Sequence, residues 1–226
     1  MRRTRRAAAI HVQEWERWRK GDASMCRVVQ AVALVLGLAV FSPTESLAGG
    51  NANVIIGKRA ASGQWSPVDG QRMLGAAVDW GMDDWPVHLA WGLNVSADET
   101  DDYWNGQYSA ALTELSFGLL WLPIRDRSFR PYVGAGIASV FADLEIDRDD
   151  GDEQFDIDDY DFGYYVNAGM YWRLGSRFNL GLDLRYGWGA RFDLILTYPS
   201  GVYREKDFVE GDYLAYSLLL GFGWGK

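Results

Sequence analysis

Apolar and polar residues alternate with a period of two along most of the chain from Arg72 to Trp224. Successive side chains of a β-strand point to opposite faces, so this period predicts strands, not helices. Seven apolar rows follow one another, and an eighth strand is predicted near Asn53–Arg59, where the pattern leaves the facing open. Eight strands in succession predict an all-β fold, an eight-stranded antiparallel up-and-down β-barrel.

Two kinds of closed barrel fit this alternation. A water-soluble barrel places its apolar rows inside, whereas a transmembrane β-barrel places them outside. The polar rows here hold many of the 26 glycines and only single charges of both signs, so they lack the charged coat of a water-exposed wall. The apolar rows are continuous. These features favour the transmembrane barrel, with the soluble barrel as the alternative.

Four tryptophans stand on apolar rows at the C-terminal ends of the second, fourth, sixth and eighth strands: Trp80, Trp121, Trp172 and Trp224. Even-numbered strands of an up-and-down barrel end on the same side, so the four indoles are expected at one height, as an interfacial aromatic girdle. The connections after even strands are short and those after odd strands are long. This asymmetry is typical of periplasmic turns and extracellular loops.

The chain begins with a segment of different character. Residues 28–41 form a mostly apolar run of about 21 Å as a helix, too short for a bilayer of about 30 Å. Basic residues precede this run, and a small-x-small site that ends at Ala48 follows it. Residues 1–48 are therefore predicted to be an N-terminal extension plus a secretory signal peptide, with Met25 as the expected start of translation, and 49–226 the barrel.

Composition narrows the function classes. Residues 49–226 contain 14 basic and 27 acidic side chains, which disfavours nucleic-acid binding because nothing would neutralise a phosphate backbone. The single cysteine, Cys26, lies in the leader, so a disulfide framework and cysteine-based metal sites are excluded. No cofactor is predicted.

Three segments carry a resemblance to a known family. Arg130–Ile137, RPYVGAGI, resembles the PYVGAG-type strand of small bacterial outer-membrane barrels, the OmpA, OmpX and opacity-protein group. Asn179–Tyr186 and Leu218–Trp224 are similar to the late strands of that group. The resemblance implies a barrel in the outer membrane of a Gram-negative bacterium, inserted by the outer-membrane assembly machinery, whose usual signal is a last strand that ends in an aromatic residue. Here two residues follow Trp224.

An eight-stranded barrel is wide enough only for its own side chains, and buried charges must pair. The polar rows predict a set of inward charges made of Asp79, His88, Glu114, Arg173, Asp183 and Arg185. A lumen plugged by ion pairs is the first interpretation, and a narrow gated pore for small solutes is the second. Enzymes that modify lipids or cleave proteins also occur on such barrels, but His88 has no serine in a matching arrangement, so no catalytic residue is predicted.

Residues 143–161 contain eleven acids and one base, Arg148. Asp150-Gly151 is a hairpin turn signal, so the fifth and sixth strands are predicted to continue beyond the membrane as a ribbon. One interpretation is a solvated acidic loop whose charges repel one another. The other is weak binding of a divalent cation that bridges to lipopolysaccharide phosphates or to another surface, with Asp147, Asp149, Asp150 and Asp152 as the candidate ligands.

Together these features predict an outer-membrane protein with a structural or surface-interaction role, a plugged polar lumen and acidic extracellular loops. The expected partners are outer-membrane lipid and lipopolysaccharide, the assembly machinery and an extracellular surface ligand, and the expected state is a monomer. A small-solute pore and a lipid-modifying enzyme are the alternatives.

Overall fold

The computed structural model describes residues 49–82, 85–102, 106–124, 128–147, 154–175, 177–198 and 201–224. These residues form β-strands and one short 3₁₀ turn, Gly63–Trp65. The strands are β1 (Gly50–Ala61), β2 (Gly70–Gly81), β3 (Val87–Asp102), β4 (Gly106–Trp121), β5 (Phe129–Asp147), β6 (Gln154–Leu174), β7 (Phe178–Trp188), β8 (Arg191–Tyr198), β9 (Gly201–Glu210) and β10 (Tyr213–Trp224).

Eight of these strands close into an antiparallel barrel. Strands β1 to β6 each pair with the next strand, β7 pairs with β10, and β10 pairs with β1 from Gly50↔Trp224 to Ala61↔Tyr213. Closure gives every barrel strand a hydrogen-bonded neighbour on both sides, which a wall in contact with lipid requires. The predicted eight-stranded up-and-down barrel is confirmed.

The apolar rows face outward, as predicted for the transmembrane barrel. On β7, Leu182 and Leu184 are about half exposed on the outer wall, while Asp183 between them points into the barrel. The facing of β1, which the sequence left open, is decided by its pairing with β2 and β10. Ile56 is 49% exposed and Ile55 is 5% exposed, so Ile55 faces the lumen.

The barrel has two different ends. The connections β2–β3, β4–β5 and β6–β7 are short and lie at what we call the turn end; the other connections lie at the loop end. β5 runs on to Asp147 and β6 begins at Gln154, with paired backbones throughout. The predicted continuation of these two strands as a paired ribbon is therefore confirmed as far as Asp147 and Gln154.

The connection after β7, residues 189–212, was expected to be one of the long loops that follow odd strands, but it contains the β8–β9 hairpin. This hairpin joins the loop end of β6 through the pairing of Gln154–Asp156 with Ile195–Thr197. β8 has apolar residues at every second position, Phe192, Leu194, Leu196 and Tyr198, but β9 has no such row, so the sequence did not identify the hairpin.

Candidate functional site in the barrel lumen

The polar rows meet inside the barrel, where they form distinct clusters. Glu114 is fully buried, and Asp79 and His88 are 3% and 4% exposed. Their placement follows from the pleat, since each stands between two outward-facing residues of its strand. All of the predicted lumen charges face inward, but they do not form one continuous network.

Glu114 of β4 is the centre of the first cluster. Its Oε2 accepts a hydrogen bond from Arg59 Nη2 of β1 at 2.8 Å, and its Oε1 accepts one from Arg185 Nη1 of β7 at 2.5 Å. The Tyr213 hydroxyl of β10 also donates to Oε2, and Asn94 Nδ2 of β3 lies 3.4 Å from Oε1. One carboxylate therefore ties β4 to β1, β7 and β10 on the other side of the lumen.

Aromatic rings hold the two guanidinium groups of this cluster in place. Arg59 Cζ stands 4.2 Å from the centre of the Tyr213 ring, and Arg185 Cζ stands 4.3 Å from the Tyr165 ring. Arg59 is absent from the predicted set because Lys58 and Arg59 are both basic, so the alternation of β1 did not say which one faces inward. The inward parity of Asn51 and Asn53 is the signal that could have identified it.

Asp79 of β2 organises the second cluster, nearer the turn end. His88 Nδ1 of β3 lies 2.7 Å from Asp79 Oδ1, and Asn51 Nδ2 of β1 lies 3.0 and 3.1 Å from the two carboxylate oxygens. Asn179 of β7 donates to Asn51 Oδ1 at 2.7 Å, and the Tyr171 hydroxyl of β6 is 3.5 Å from Asp79 Oδ2. This cluster links five of the eight barrel strands.

Asp183 and Arg173 belong to neither of these two clusters. Asp183 Oδ1 accepts hydrogen bonds from the Tyr132 hydroxyl at 2.6 Å and from Asn167 Nδ2 at 2.8 Å. Arg173 forms no ion pair with any residue that the structure describes, and its Nε has no hydrogen-bond partner there. Among the predicted lumen charges, only Glu114 and Arg185 form an ion pair, and Asp79 and His88 share a hydrogen bond.

The glycines of the polar rows make room for large lumen tyrosines. A Cβ on Gly169 would collide with the ring of Tyr132, and one on Gly187 would collide with the ring of Tyr213. The same holds for Gly118, where a Cβ would meet the Tyr165 hydroxyl and the backbone of β5. Tyr132, Tyr171 and Tyr213 are at most 5% exposed, so these rings fill the space that the glycines leave.

A small cavity of about 40 Å³ lies among these side chains. Asp79, Asp183, Arg185, Tyr165 and Tyr171 contribute to its wall. Since one water needs roughly 10–15 Å³ of such volume, the cavity can hold only a few water molecules.

The loop end carries an apolar cluster that the sequence analysis missed. Trp65, from the 3₁₀ turn between β1 and β2, is 1% exposed and packs edge-to-face on Phe192 of β8, with ring centroids 6.0 Å apart. Leu112, Leu144 and Ile157 are buried in the same cluster. We call the cluster the apolar plug; its remaining buried members are Val68, Ala110, Ala138, Val140, Ala142, Tyr165 and Ala190.

Hydrogen bonds fasten the β1–β2 connection to the end of β9. Trp65 Nε1 and Ser62 Oγ both donate to the Glu210 carbonyl oxygen, at 2.9 and 3.0 Å. Glu210 N donates in return to Gln64 Oε1 at 2.7 Å. The connection thus lies against the β9–β10 connection, with its tryptophan in the plug.

The four predicted girdle tryptophans lie together at the turn end. Gly50 is the register partner of both Trp80 and Trp224, Trp172 is opposite Phe129, and Trp121 is opposite Val87. Trp121 and Trp172 are 49% and 43% exposed on the outer wall. A second set of outward aromatics, which was not predicted, lies toward the loop end: Tyr160, Tyr164, Tyr186, Trp188 and Tyr216.

Asp159 and Asp161, two of the eleven acids in residues 143–161, accept hydrogen bonds from the backbone of β8. Asp161 Oδ2 accepts a hydrogen bond from Arg191 N at 2.9 Å, and Asp159 Oδ2 accepts one from Asp193 N at 3.0 Å. These carboxylates bridge β6 to β8 where the two backbones are not paired.

The candidate cation ligands Asp149, Asp150 and Asp152 lie outside the described residues, as does the side chain of Asp147. In the rest of the chain, from 49 to 224 with its gaps, no three acidic, histidine or cysteine side chains are grouped as a metal site would need. The described segments also contain no helix with the length and apolar content needed to cross a membrane.

Comparison with solved structures gives the same architecture. The outer membrane protein OprG from Pseudomonas aeruginosa is 17% identical with a TM-score of 0.60, over 80% of this chain and 98% of OprG. Neisserial surface protein A is 10% identical with a TM-score of 0.51, over 79% and 96% of the two chains. A major outer membrane protein from Thermus thermophilus is 12% identical with a TM-score of 0.51, over 77% and 99%.

At these identities the likeness concerns the fold. A comparison with curated proteins gives no match. The family model described as the outer membrane protein beta-barrel domain matches residues 30–225, which is most of the chain. The chain therefore belongs to the outer membrane protein beta-barrel domain family, and it is a protein of the outer membrane.

Proposed function

We propose that this protein is a closed barrel with a structural and surface-interaction role, whose lumen does not conduct. The observation that carries the proposal is the position of Glu114, which reaches across the lumen to Arg59 and Arg185 at 2.8 and 2.5 Å. A solute on its way through the barrel would have to separate these buried charges, and an unpaired buried charge is costly.

The apolar plug supports the same proposal at the loop end. Trp65 and Phe192 are almost completely buried there, and hydrogen bonds to Glu210 hold the β1–β2 connection in place. Polar and apolar solutes would therefore meet two different barriers in series. The cavity of about 40 Å³ below the plug is too small for a solute larger than a few waters.

Planar-bilayer recordings test the closed lumen. The wild-type barrel should give no stepwise conductance. The variant R59A/E114A/R185A/W65A, which removes the ion-pair cluster and the centre of the plug, should give steps if it folds. Reproducible steps from the wild type, abolished by a reagent that enters the lumen, would favour the pore instead. The single variant W85A, an exposed turn-end tryptophan, controls for changes in insertion.

We infer that His88 is a structural residue. Its Nδ1 is engaged by Asp79, and Asp79 is held in turn by Asn51, so the imidazole is one part of a strand-linking cluster. At 4% exposure it is also remote from lipid on the outer wall. Mass spectrometry of lipid A from cells with and without the protein should give identical profiles. A profile that changes with the wild type but not with H88A would establish an enzyme.

We further propose that the chain is processed after Ala48, inserted by the outer-membrane assembly machinery through β10, and monomeric. β10 supports this proposal because its outward row ends in Phe222 and Trp224 and because its pairing with β1 leaves no open edge in the wall. N-terminal sequencing should begin at Gly49. The mass of the particle in detergent should correspond to one chain.

The acidic ribbon formed by the loop ends of β5 and β6 is the part that we propose as the interaction surface. Its backbone is paired as far as Asp147↔Gln154, beyond the outward aromatic residues of the wall. Acids on a paired ribbon are held close together, which favours a divalent cation as the bridge to phosphates of lipopolysaccharide or to another surface.

A further inference from the structure

Two cations stand side by side on the outer wall of the barrel. Lys58 of β1 is the direct register partner of Arg72 of β2, and both side chains are exposed. Their sequence neighbours Arg59 and Gln71 face the lumen and are almost completely buried. Like charges directly opposite each other on one face of a sheet destabilise the pair, so this arrangement requires a compensating partner.

The surroundings of the pair are apolar or aromatic. On the same outer rows, Ile56 is 49% exposed and Leu74 is 43% exposed, two residues closer to the turn end. Tyr216 of β10, 54% exposed, is the register partner of Lys58 on its other side. Within the described part of the chain, neither cation has a hydrogen bond or an ion pair.

The height of the pair on the wall follows from the register. Lys58 and Arg72 are each eight residues from the rung Gly50↔Trp80, which lies in the turn-end aromatic girdle. At about 3.3 Å per residue and a tilt of about 40°, eight residues rise roughly 20 Å. The apolar band of such barrels is about 25 Å tall, and long cationic side chains extend toward the interface. Both charges can therefore reach the boundary of the membrane on the loop side.

The loop end is the extracellular end, because outer-membrane barrels have short periplasmic turns and longer extracellular connections. The lipid that surrounds this end belongs to the outer leaflet, whose glycolipid carries phosphate groups on its sugar backbone at the same boundary. The nearest acid on this face, Glu99, lies two residues beyond Ala97, the register partner of Arg72, toward the loops.

We propose that Lys58 and Arg72 form a binding site for a phosphate group of the outer-leaflet glycolipid. The planar guanidinium of Arg72 donates two parallel hydrogen bonds to phosphate oxygens, and the ammonium group of Lys58 supplies a second, compact charge. The bound phosphate turns the repulsion between the two cations into attraction of both to a shared anion. This site lies on the outer wall, so the proposal of a phosphate site does not depend on the proposal that the lumen is closed.

The test measures lipid adducts on the refolded full-length barrel by native mass spectrometry, with lipids titrated into a zwitterionic detergent. The probes are bisphosphorylated lipid A, the same lipid A without phosphates, and phosphatidylglycerol. We expect the wild type to bind the bisphosphorylated form about tenfold more tightly than the dephosphorylated form, and K58Q/R72Q to lose this preference.

Matched variants separate a specific site from general charge. R177Q removes one exposed cation at the turn end, so it should keep the preference that R72Q alone weakens. K58R/R72K conserves both charges and should keep most of the preference. Migration of the unheated barrel on gels reports folding. If K58Q/R72Q does not fold, the lipid preference is measured on the single variants K58Q and R72Q instead.

Three results would overturn the proposal. One is equal binding of phosphorylated and dephosphorylated lipid A to the wild type. Another is an unchanged preference in the folded K58Q/R72Q variant. The third is binding of phosphatidylglycerol as tight as that of bisphosphorylated lipid A, with the same dependence on Lys58 and Arg72. The site would then bind the phosphate of any lipid and would not be specific for the glycolipid.

Discussion

Arg185 Nη1 lies 2.5 Å from Glu114 Oε1 and so joins β7 to β4, two strands that are three places apart in the barrel. Arg59 of β1 binds the other carboxylate oxygen from a third strand. Because these strands are not neighbours in the sheet, the contact depends on side chains that cross the lumen. The Glu114 cluster is therefore a tertiary cross-brace of the barrel, separate from its hydrogen-bonded wall.

Replacement of Glu114 by Gln should destabilise the barrel by about 3–5 kcal/mol, because both guanidinium groups would stay buried without a counter-charge. Urea unfolding in lipid vesicles measures this loss. The triple variant R59Q/E114Q/R185Q removes all three charges and should cost less than E114Q alone. A triple variant at least as unstable as E114Q would mean that unpaired charge is not the cause.

An arginine at Leu182 should cost roughly 2–4 kcal/mol, since this outward residue lies near the middle of the membrane. Leu214, also outward and 45% exposed, pairs with Tyr186 nearer the loop end, and an arginine there should cost only about 0–1 kcal/mol. A charge swap at Asp183 should act through Tyr132 and Asn167 instead. Unfolding free energies that do not depend on depth would contradict the assignment of the outer wall.

Gly169→Ala should destabilise the barrel by about 1–3 kcal/mol, because the new methyl group would push Tyr132 away from Asp183. Gly70→Ala is the control, since a Cβ there meets no atom within 4 Å. Unfolding in urea compares the two variants. Equal stability would show that the lumen tyrosines repack at little cost.

Trp65→Ala should open the β1–β2 connection, since the loss of a buried tryptophan costs about 3–5 kcal/mol. Protease cleavage within residues 62–69 should then become much faster. Trp85→Ala, at an exposed position of the turn end, should leave the cleavage rate unchanged. Slow cleavage of the Trp65→Ala protein would mean that the hydrogen bonds to Glu210 are sufficient to hold the connection.

Calcium should protect residues 143–161 from proteolysis in a saturable manner. Several carboxylates can hold Ca²⁺ without a preformed cage, whereas Na⁺ only screens charge. NaCl of matched ionic strength should therefore not protect, and replacement of Asp147, Asp149, Asp150 and Asp152 by Asn should abolish the difference. Equal protection by both salts would leave a solvated acidic loop.

The facing of most strands could be predicted from single residues and their neighbours. Leu182, Asp183 and Leu184 alternate clearly, and the structure places them outside, inside and outside. In β1 the two residues of each pair, Ile55-Ile56 and Lys58-Arg59, are chemically alike. The alternation therefore does not say which residue of a pair faces the lumen. Only the register with β2 and β10 decides that Arg59 reaches Glu114 while Lys58 stands on the outer wall.

The sequence could predict which charged residues face the lumen, but not which of them bind one another. Arg173 and Arg185 both face inward, yet only Arg185 reaches an acid among the described residues. Trp65 gave no sequence signal at all, because it lies in a connection and is buried by Phe192, more than 100 residues away in the chain.

By itself the sequence determined the wall: the number of strands in the barrel, the outward apolar rows and the tryptophans at the turn end. These are local properties, since the direction of each side chain follows from the pleat of its own strand. The tertiary structure alone decided the partners of Glu114, the apolar plug and the Lys58–Arg72 pair. Those contacts depend on how the closed barrel staggers its strands, and the stagger is set by all of the strands together.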